Sequence, residues 1–349
     1  MAGGVGSRFW PWSRAERPKQ FLDILGSGRT MIEETFDRFD TLVPLQNQWV
    51  VTGKNLAPQV LQALPALHPN QVLTEPERRN TAPAIAYAAY KIASINPNAM
   101  MIVSPSDHHI TDKKAFRESL LTAVDYAREH HTLMTIGIPP TFPATEYGYI
   151  ELGDEAKSKV VGPIARFKEK PNRDEAIRLL ESGNYVWNAG IFVWRVWDII
   201  QALEQYLPEV AVNFAEIDAY GKPNETEAVA RAFLACPSIS IDYGVMEKAD
   251  NVACVKAGFD WDDLGTWKSL QKYQEHHPVE NKPATKGKIF MEECNNTMVH
   301  QGNKEKDIVI IGLDDYLVVD LEDTLFIAPK GDEKRLHSLL DKYAKELGK

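Results

Sequence analysis

At 349 residues and a net charge of −10, the chain is long enough for one large domain plus a smaller one. Its acidity argues against a general nucleic-acid or membrane-surface binder, while leaving room for a local basic pocket for phosphates. Cys236, Cys254 and Cys294 form no CxxC pair, no run is apolar enough to span a bilayer and no leader pattern is present, so a cytoplasmic, soluble protein with no nucleic-acid or membrane partner is expected.

The chain opens on Gly3-Gly4-Val5-Gly6-Ser7-Arg8, followed by Pro18-Lys19-Gln20-Phe21. Glycine lets backbone N–H groups approach phosphate oxygens, and the cations neutralise what the amides cannot. The run is neither the dinucleotide GxGxxG nor a P-loop, because the third glycine and the Gly-Lys-Ser/Thr are missing. A surface turn with scattered cations is the bland alternative; Pro18, which fixes the approach of Lys19, speaks against it.

Trp49 to Thr52 reads as a strand and alanine-rich Ala82 to Ile95 as a helix. Met100 to Val103 is a continuous apolar run that suits a buried parallel strand, and it ends in Ser104-Pro105-Ser106-Asp107. A helix from Lys113 to about His130 and a strand from Leu133 to Ile138 follow. This β-α-β alternation predicts an α/β, doubly wound, mostly parallel sheet, with ligands at the carboxyl ends of its strands.

Asp107 sits at such an end, as a magnesium ligand or as a cap on the next helix; spacing leaves both open. His108 and His109 are adjacent and do not converge easily on a metal, so polar loop histidines are the plainer reading. Glu146-Tyr147-Gly148-Tyr149 and Trp187-Asn188-Ala189-Gly190 set small residues beside polar and aromatic ones, as sugar sites and ordinary cores both do. On Arg166-Phe167-Lys168-Glu169-Lys170-Pro171, alternation sends Glu169 and Lys170 to opposite faces unless the strand ends there, and a solvated edge strand is the alternative. Asp260-Trp261-Asp262-Asp263 precedes a helix starting near Thr266, where Asp263 is either a cap or a second metal ligand. Past a linker at 278–283 come short strands at 288–291, 307–311, 316–319 and 324–327, then an amphipathic helix from Asp332 to Leu347. Two domains are expected, 1–280 and 285–349.

Taken in order, these motifs resemble the signature of the sugar-phosphate nucleotidyltransferases, and most closely the short, single-activity mannose-1-phosphate guanylyltransferases. The resemblance runs from Ala2 to Arg14 with Pro18 to Phe21, through Glu75-Pro76-Glu77-Arg78-Arg79-Asn80-Thr81-Ala82-Pro83, Ser106-Asp107-His108, Glu169-Lys170-Pro171 and Trp187 to Phe192. It continues through Ser240-Ile241-Asp242-Tyr243 with Val245 to Lys248, and Trp261 to Trp267. One departure is Arg78, which stands where the family usually has glycine and makes Arg79 the family's arginine. A second lies at the start: the family carries an apolar strand before the Ala-Gly-Gly turn, so the first strand of the large domain is expected to be missing.

The resemblance implies transfer of GMP from GTP to α-D-mannose 1-phosphate, giving GDP-mannose and diphosphate, with Mg²⁺ on Asp107 and Asp263. It implies nucleotide binding by Gly3, Gly4, Gly6, Ser7, Arg8, Lys19, Arg79, Asn80 and Thr81, and sugar-phosphate binding by Gly148, Glu169, Lys170 and Asn188. Arg8, Lys19, Asp107 and Asp263 are the implied catalytic groups. A homodimer and a β-helix-like C-terminal module come with it. Two alternatives stay open: a related hexose-1-phosphate nucleotidyltransferase with another base or sugar, and a non-catalytic nucleotide-sugar-binding regulatory subunit.

Overall fold

The computed structural model describes residues 1–4, 9–276, 287–302, 305–331, 333–343 and 346. Along the chain run α1 (Met31–Phe39), β1 (Val50–Gly53), α2 (Ala57–Ala63), β2 (Val72–Glu75), α3 (Thr81–Ile95), β3 (Met100–Val103), β4 (His109–Ile110), α4 (Lys113–His130) and β5 (Leu133–Ile138). Then come β6 (Tyr149–Leu152), α5 (Asp154–Ser158), β7 (Val161–Lys168), α6 (Arg173–Ser182), β8 (Tyr185–Arg195), α7 (Val196–Tyr206), α8 (Pro208–Ala215), α9 (Glu225–Ala235), β9 (Val252–Lys256), β10 (Trp261–Asp262) and α10 (Trp267–His276). The last elements are β11 (Ile289–Glu292), β12 (Met298–Gln301), β13 (Ile308–Ile311), β14 (Tyr316–Asp320), β15 (Leu325–Pro329) and α11 (Glu333–Lys342).

Two compact units interleave along the sequence. The larger takes residues 1–3, 38–106 and 110–261; the smaller takes 4–37, 107–109 and 262–349. The expected linker at 278–283 lies outside the described residues.

In the larger unit a six-stranded sheet has the order β3-β8-β5-β9-β7-β6. Its strands alternate between two cores, as a pleat requires. Phe192 and Trp194 of β8 join the core under α3, α7, α8 and α9, whereas Ile191 and Val193 join the core under α4. β5 is buried at every position, Thr135 and Gly137 included, because both faces are covered, whereas the continuous apolar run of β3 is buried only at Met101 and Val103. The small side chains of α3 are buried along most of the helix, and α7 and α8 pack against it. Asp112 caps α4, accepting from Lys114 and Ala115 N–H at 2.9 Å each, and His131 ends it in the left-handed region at φ 52°.

The mixed α/β content matches expectation; the mostly parallel strand direction does not. β8 is antiparallel to both β3 and β5, β7 is antiparallel to β6 and β9, and in this sheet only the β5–β9 pair is parallel. The crossover through α4 does leave β3 and β5 pointing the same way. The long β8 then inserts between them in the opposite sense, which local periodicity cannot foresee. β7 is interior rather than an edge strand. A separate parallel pair, β1 with β2, also belongs to this unit. Met1 and Ala2 bond to both regions: Ala2 N–H donates to Val51 O at 2.8 Å, and the Met1 ammonium donates to Ser104 O at 2.7 Å.

The smaller unit has its own core, in which Phe9, Leu22, Ile24 and Met31 pack with Leu264, Trp267 and Leu270 and with Met298, Leu317 and Val319 of the late strands. There β11 pairs parallel with β13 and β12 with β14, and β14 turns back antiparallel to β15. The sequence reading lacked β12, whose Met-Val-His-Gln follows two asparagines and a threonine.

Candidate active site

In the smaller unit, a short helical turn at Lys19–Phe21 sets Lys19 inside, with 4% of its surface exposed. Its ammonium donates to the Asp107 carbonyl at 2.8 Å and to the Asp263 carbonyl, and lies 3.2 Å from Asp107 Oδ2. One buried cation thus fastens two aspartates that are 156 positions apart in the chain. Burial works against the charge on Asp107, yet Lys19, helped by His108, outweighs it and holds the carboxyl below the usual carboxylate range. Burial, with the charge of Asp263 beside it, pushes Asp262 up.

Asp263 accepts the Gly265 N–H at 3.0 Å, in a turn where Leu264 has φ 41°. A side chain at Gly265 would lie 2.6 Å from Asp263 Oδ2, so any larger residue there would displace the Asp263 carboxylate. Of the predicted glycine loop, Gly4 offers its carbonyl to Gln20 Nε2 at 3.3 Å. Gly6, Ser7 and Arg8 lie outside the described residues. His109 faces Glu34 at 3.8 Å and the ring of Tyr273, and no cluster of three or more metal-ligating side chains occurs among the described residues.

The larger unit gathers the predicted sugar-phosphate residues. β7 ends at Lys168, which frees Glu169 and Lys170 from strand alternation, and Lys170 turns to φ 42°. Its ammonium closes on Glu169 Oε1. Burial opposes the charge on Lys170, and the Glu169 carboxylate overrides this and raises it above the ordinary lysine range. Gly148 accepts the Asn188 backbone N–H at 2.8 Å. A side chain at Gly148 would stand 2.4 Å from Glu169 Oε2, so this glycine opens the space the carboxylate fills. Gly148, Glu169, Lys170 and Asn188 therefore converge. Tyr147 and Phe142 meet the ring of Trp187, one residue before Asn188, with centroids 5.1 and 4.8 Å away.

Asp242 joins this group without having been assigned a role from sequence. It opens a single π-helical turn, Asp242–Met246, and accepts from Asn188 Nδ2 at 3.0 Å. Burial, and then the charge of Glu169, push its carboxyl up to about 6. Its place inside Ser-Ile-Asp-Tyr was the available signal.

The predicted nucleotide segment lies in the same unit. Asn80 takes φ 67° and caps α3 by accepting the Thr81 N–H at 2.9 Å. Thr81 Oγ1 accepts the Ile241 N–H at 2.8 Å, and Arg79 O accepts the Ile239 N–H at 3.2 Å, so this segment is bonded to the run leading into Asp242. Arg79 pairs with Glu77 at 2.9 Å, and its buried Nε has no hydrogen-bond partner among the described residues. Gly3 stands beside Glu75: a side chain there would meet Oε2 at 3.3 Å.

Comparison with known proteins gives the chain a family. Residues 1–279 match the nucleotidyl transferase family. A Sinorhizobium fredii mannose-1-phosphate guanylyltransferase is 35% identical over 99% of this chain and 67% of its own length. The Pseudomonas putida alginate biosynthesis protein AlgA is 34% identical over 95% of this chain and 68% of its own length. A solved Thermus thermophilus structure, described as a mannose-1-phosphate geranyltransferase, superposes with a TM-score of 0.82 at 28% identity, covering 99% of this chain and 98% of that one.

Proposed function

We propose that this chain, which belongs to the nucleotidyl transferase family, transfers GMP from GTP to α-D-mannose 1-phosphate, giving GDP-mannose and diphosphate. The observation that carries the reading is the convergence of Glu169, Lys170 and Asn188 around Gly148. A carboxylate, an amide and a protonated lysine suit a sugar that is also a phosphate: hydroxyls for the first two, the anion for the third.

The nucleophile in such a transfer is a phosphate oxygen, already ionised near neutral pH, so no general base is called for. The work left to the protein is to hold two polyanions and to meet the charge of the departing diphosphate, by positioning and electrostatics. Lys170 supplies charge for the sugar phosphate. Glu169 and Asn188 orient the ring. Gly3, Gly4, Gly6, Ser7 and Arg8, with Arg79, Asn80 and Thr81, are assigned to the nucleotide. Lys19 fixes the backbones of Asp107 and Asp263 so that both carboxylates have defined positions.

Two carboxylates on a common lysine clamp fit Mg²⁺, which takes one or two protein carboxylates and completes its shell with water and substrate phosphate oxygens. Asp107 and Asp263 would hold it, and when bound it neutralises and orients phosphate oxygens. We also read the late strands as a short β-helical coil, because β11–β13 and β12–β14 share the same 19-residue offset.

Diphosphate release from GTP, with and without mannose 1-phosphate, tests the function. Release that needs both substrates is expected. Release from another nucleotide–sugar pair in a panel of NTPs and hexose 1-phosphates would move the assignment to a sister activity. No release from any pair would leave a binding subunit.

A further inference from the structure

We infer that Asp242 is a sugar-reading residue: it locks the Asn188 amide in one orientation and, with that amide, presents an adjacent donor and acceptor to two neighbouring ring hydroxyls of the hexose. The inference deepens the proposed function and rests on the assignment of Glu169 and Asn188 to the sugar.

Hydrogen-bond accounting leads to it. Asn188 Oδ1 accepts from Thr135 Oγ1 at 2.9 Å and from the Gly190 N–H at 3.1 Å, which uses both of its lone pairs. Thr135 is fully buried on β5, so this anchor does not move with solvent. Asn188 Nδ2 gives one hydrogen to Asp242 Oδ1 at 3.0 Å. A flipped amide would set Nδ2 against the Gly190 N–H and Oδ1 against a carboxylate, so the three contacts permit one orientation.

The amide is thereby left with a single N–H and no acceptor. It cannot receive a hydrogen bond from a sugar hydroxyl, and the acceptors in the group are carboxylates. Glu169 already gives Oε1 to Lys170 and lays Oε2 against Gly148. Asp242 gives Oδ1 to one Asn188 N–H, and its carboxylate has no other side-chain hydrogen-bond partner among the described residues, which leaves acceptor capacity on the same group that orients the amide. Neighbouring hydroxyls on a pyranose each donate and accept, and an N–H beside a carboxylate oxygen complements such a pair. The wide turn that begins at Asp242 supports this placement, since single π-helical turns are frequent at functional sites. That turn is in turn held by the Thr81 hydroxyl on the Ile241 N–H.

The test compares wild type, Asp242→Asn and Glu169→Gln in steady-state kinetics, with native folding checked by circular dichroism. Asp242→Asn is expected to raise KM for mannose 1-phosphate by about 10–100-fold, the range for a lost hydrogen bond to a charged group, while KM for GTP stays within about twofold. Deoxymannose 1-phosphates lacking one ring hydroxyl supply a readout that needs no variant to fold. In wild type, removing one of two neighbouring hydroxyls should raise KM by roughly tenfold or more, and in Asp242→Asn the same removal should cost little. The inference is overturned if Asp242→Asn leaves KM for mannose 1-phosphate unchanged while Glu169→Gln raises it. It is equally overturned if KM for both substrates rises together, or if no deoxy analogue differs from mannose 1-phosphate in wild type. Absence of wild-type turnover with mannose 1-phosphate would instead remove the functional assignment beneath it.

Discussion

Lys19 grips Asp107 at two points, with Nζ 2.8 Å from the backbone carbonyl and 3.2 Å from Oδ2. Carrying the same ammonium to the Asp263 carbonyl makes it the tie between two loops that each supply a carboxylate. Lys19→Ala is expected to lower kcat by about 10²–10³-fold, the loss typical of one preorganised donor. Orphaning two carbonyls adds a stability cost of about 1–3 kcal/mol. Turnover and melting temperature should be measured on the same preparation. A lowered melting point with near-normal turnover would confine Lys19 to folding.

Asp107→Asn and Asp263→Asn each exchange a carboxylate for an amide of the same shape. Magnesium binds amide oxygens weakly, so the Mg²⁺ concentration for half-maximal rate is expected to rise by about tenfold or more in each variant. Asp107→Asn should also loosen Lys19, because that carboxylate is the lysine's charged partner. Wild-type Mg²⁺ titrations in both variants would remove the pair from metal binding.

The extent to which the sequence revealed these groups follows from the range of the forces involved. The α3, α4, β3 and β5 segments were legible because each carries its own periodicity or apolar run. The direction of β8 was not, because it is decided by partners on β3, β5 and β6 far away in the chain. Glu169, Asn188 and Gly148 could be picked from their motifs, whereas Asp242 required the fold, since only its bond to the Asn188 amide separates it from an ordinary polar residue in a loop. Likewise, spacing left Asp107 and Asp263 as caps or ligands, and the shared Lys19 is what brings them together.

The cysteines give a chemical test of burial. Burial pushes the Cys236 thiol up to about 11 and the Cys254 thiol up to about 12, so both are inert thiols at neutral pH. Cys294 is half-buried. Iodoacetamide at about pH 8 should label Cys294 alone in the native protein and all three after denaturation, read by peptide mass spectrometry. Rapid native labelling of Cys254 would contradict its packing against Gly137, where an added side chain would lie 2.6 Å from the sulfur.

Glu75 ties folding to pH. Burial, only partly offset by the charges of the chain's amino terminus and Arg78, raises its carboxyl from 4.5 to about 7, and the residue is 7% exposed. Between those two values the folded chain keeps this proton and the unfolded chain has released it. The folded state therefore binds more protons there, and stability falls as pH rises through the window. At about 1.4 kcal/mol for each pH unit, the loss is about 3 kcal/mol, complete above pH 7. Glu75→Gln removes the titration, so its stability relative to wild type should climb by that amount between about pH 4.5 and 8, measured by urea unfolding at each pH. Parallel pH profiles for the two proteins would show that Glu75 titrates in the folded chain as it does in the unfolded one.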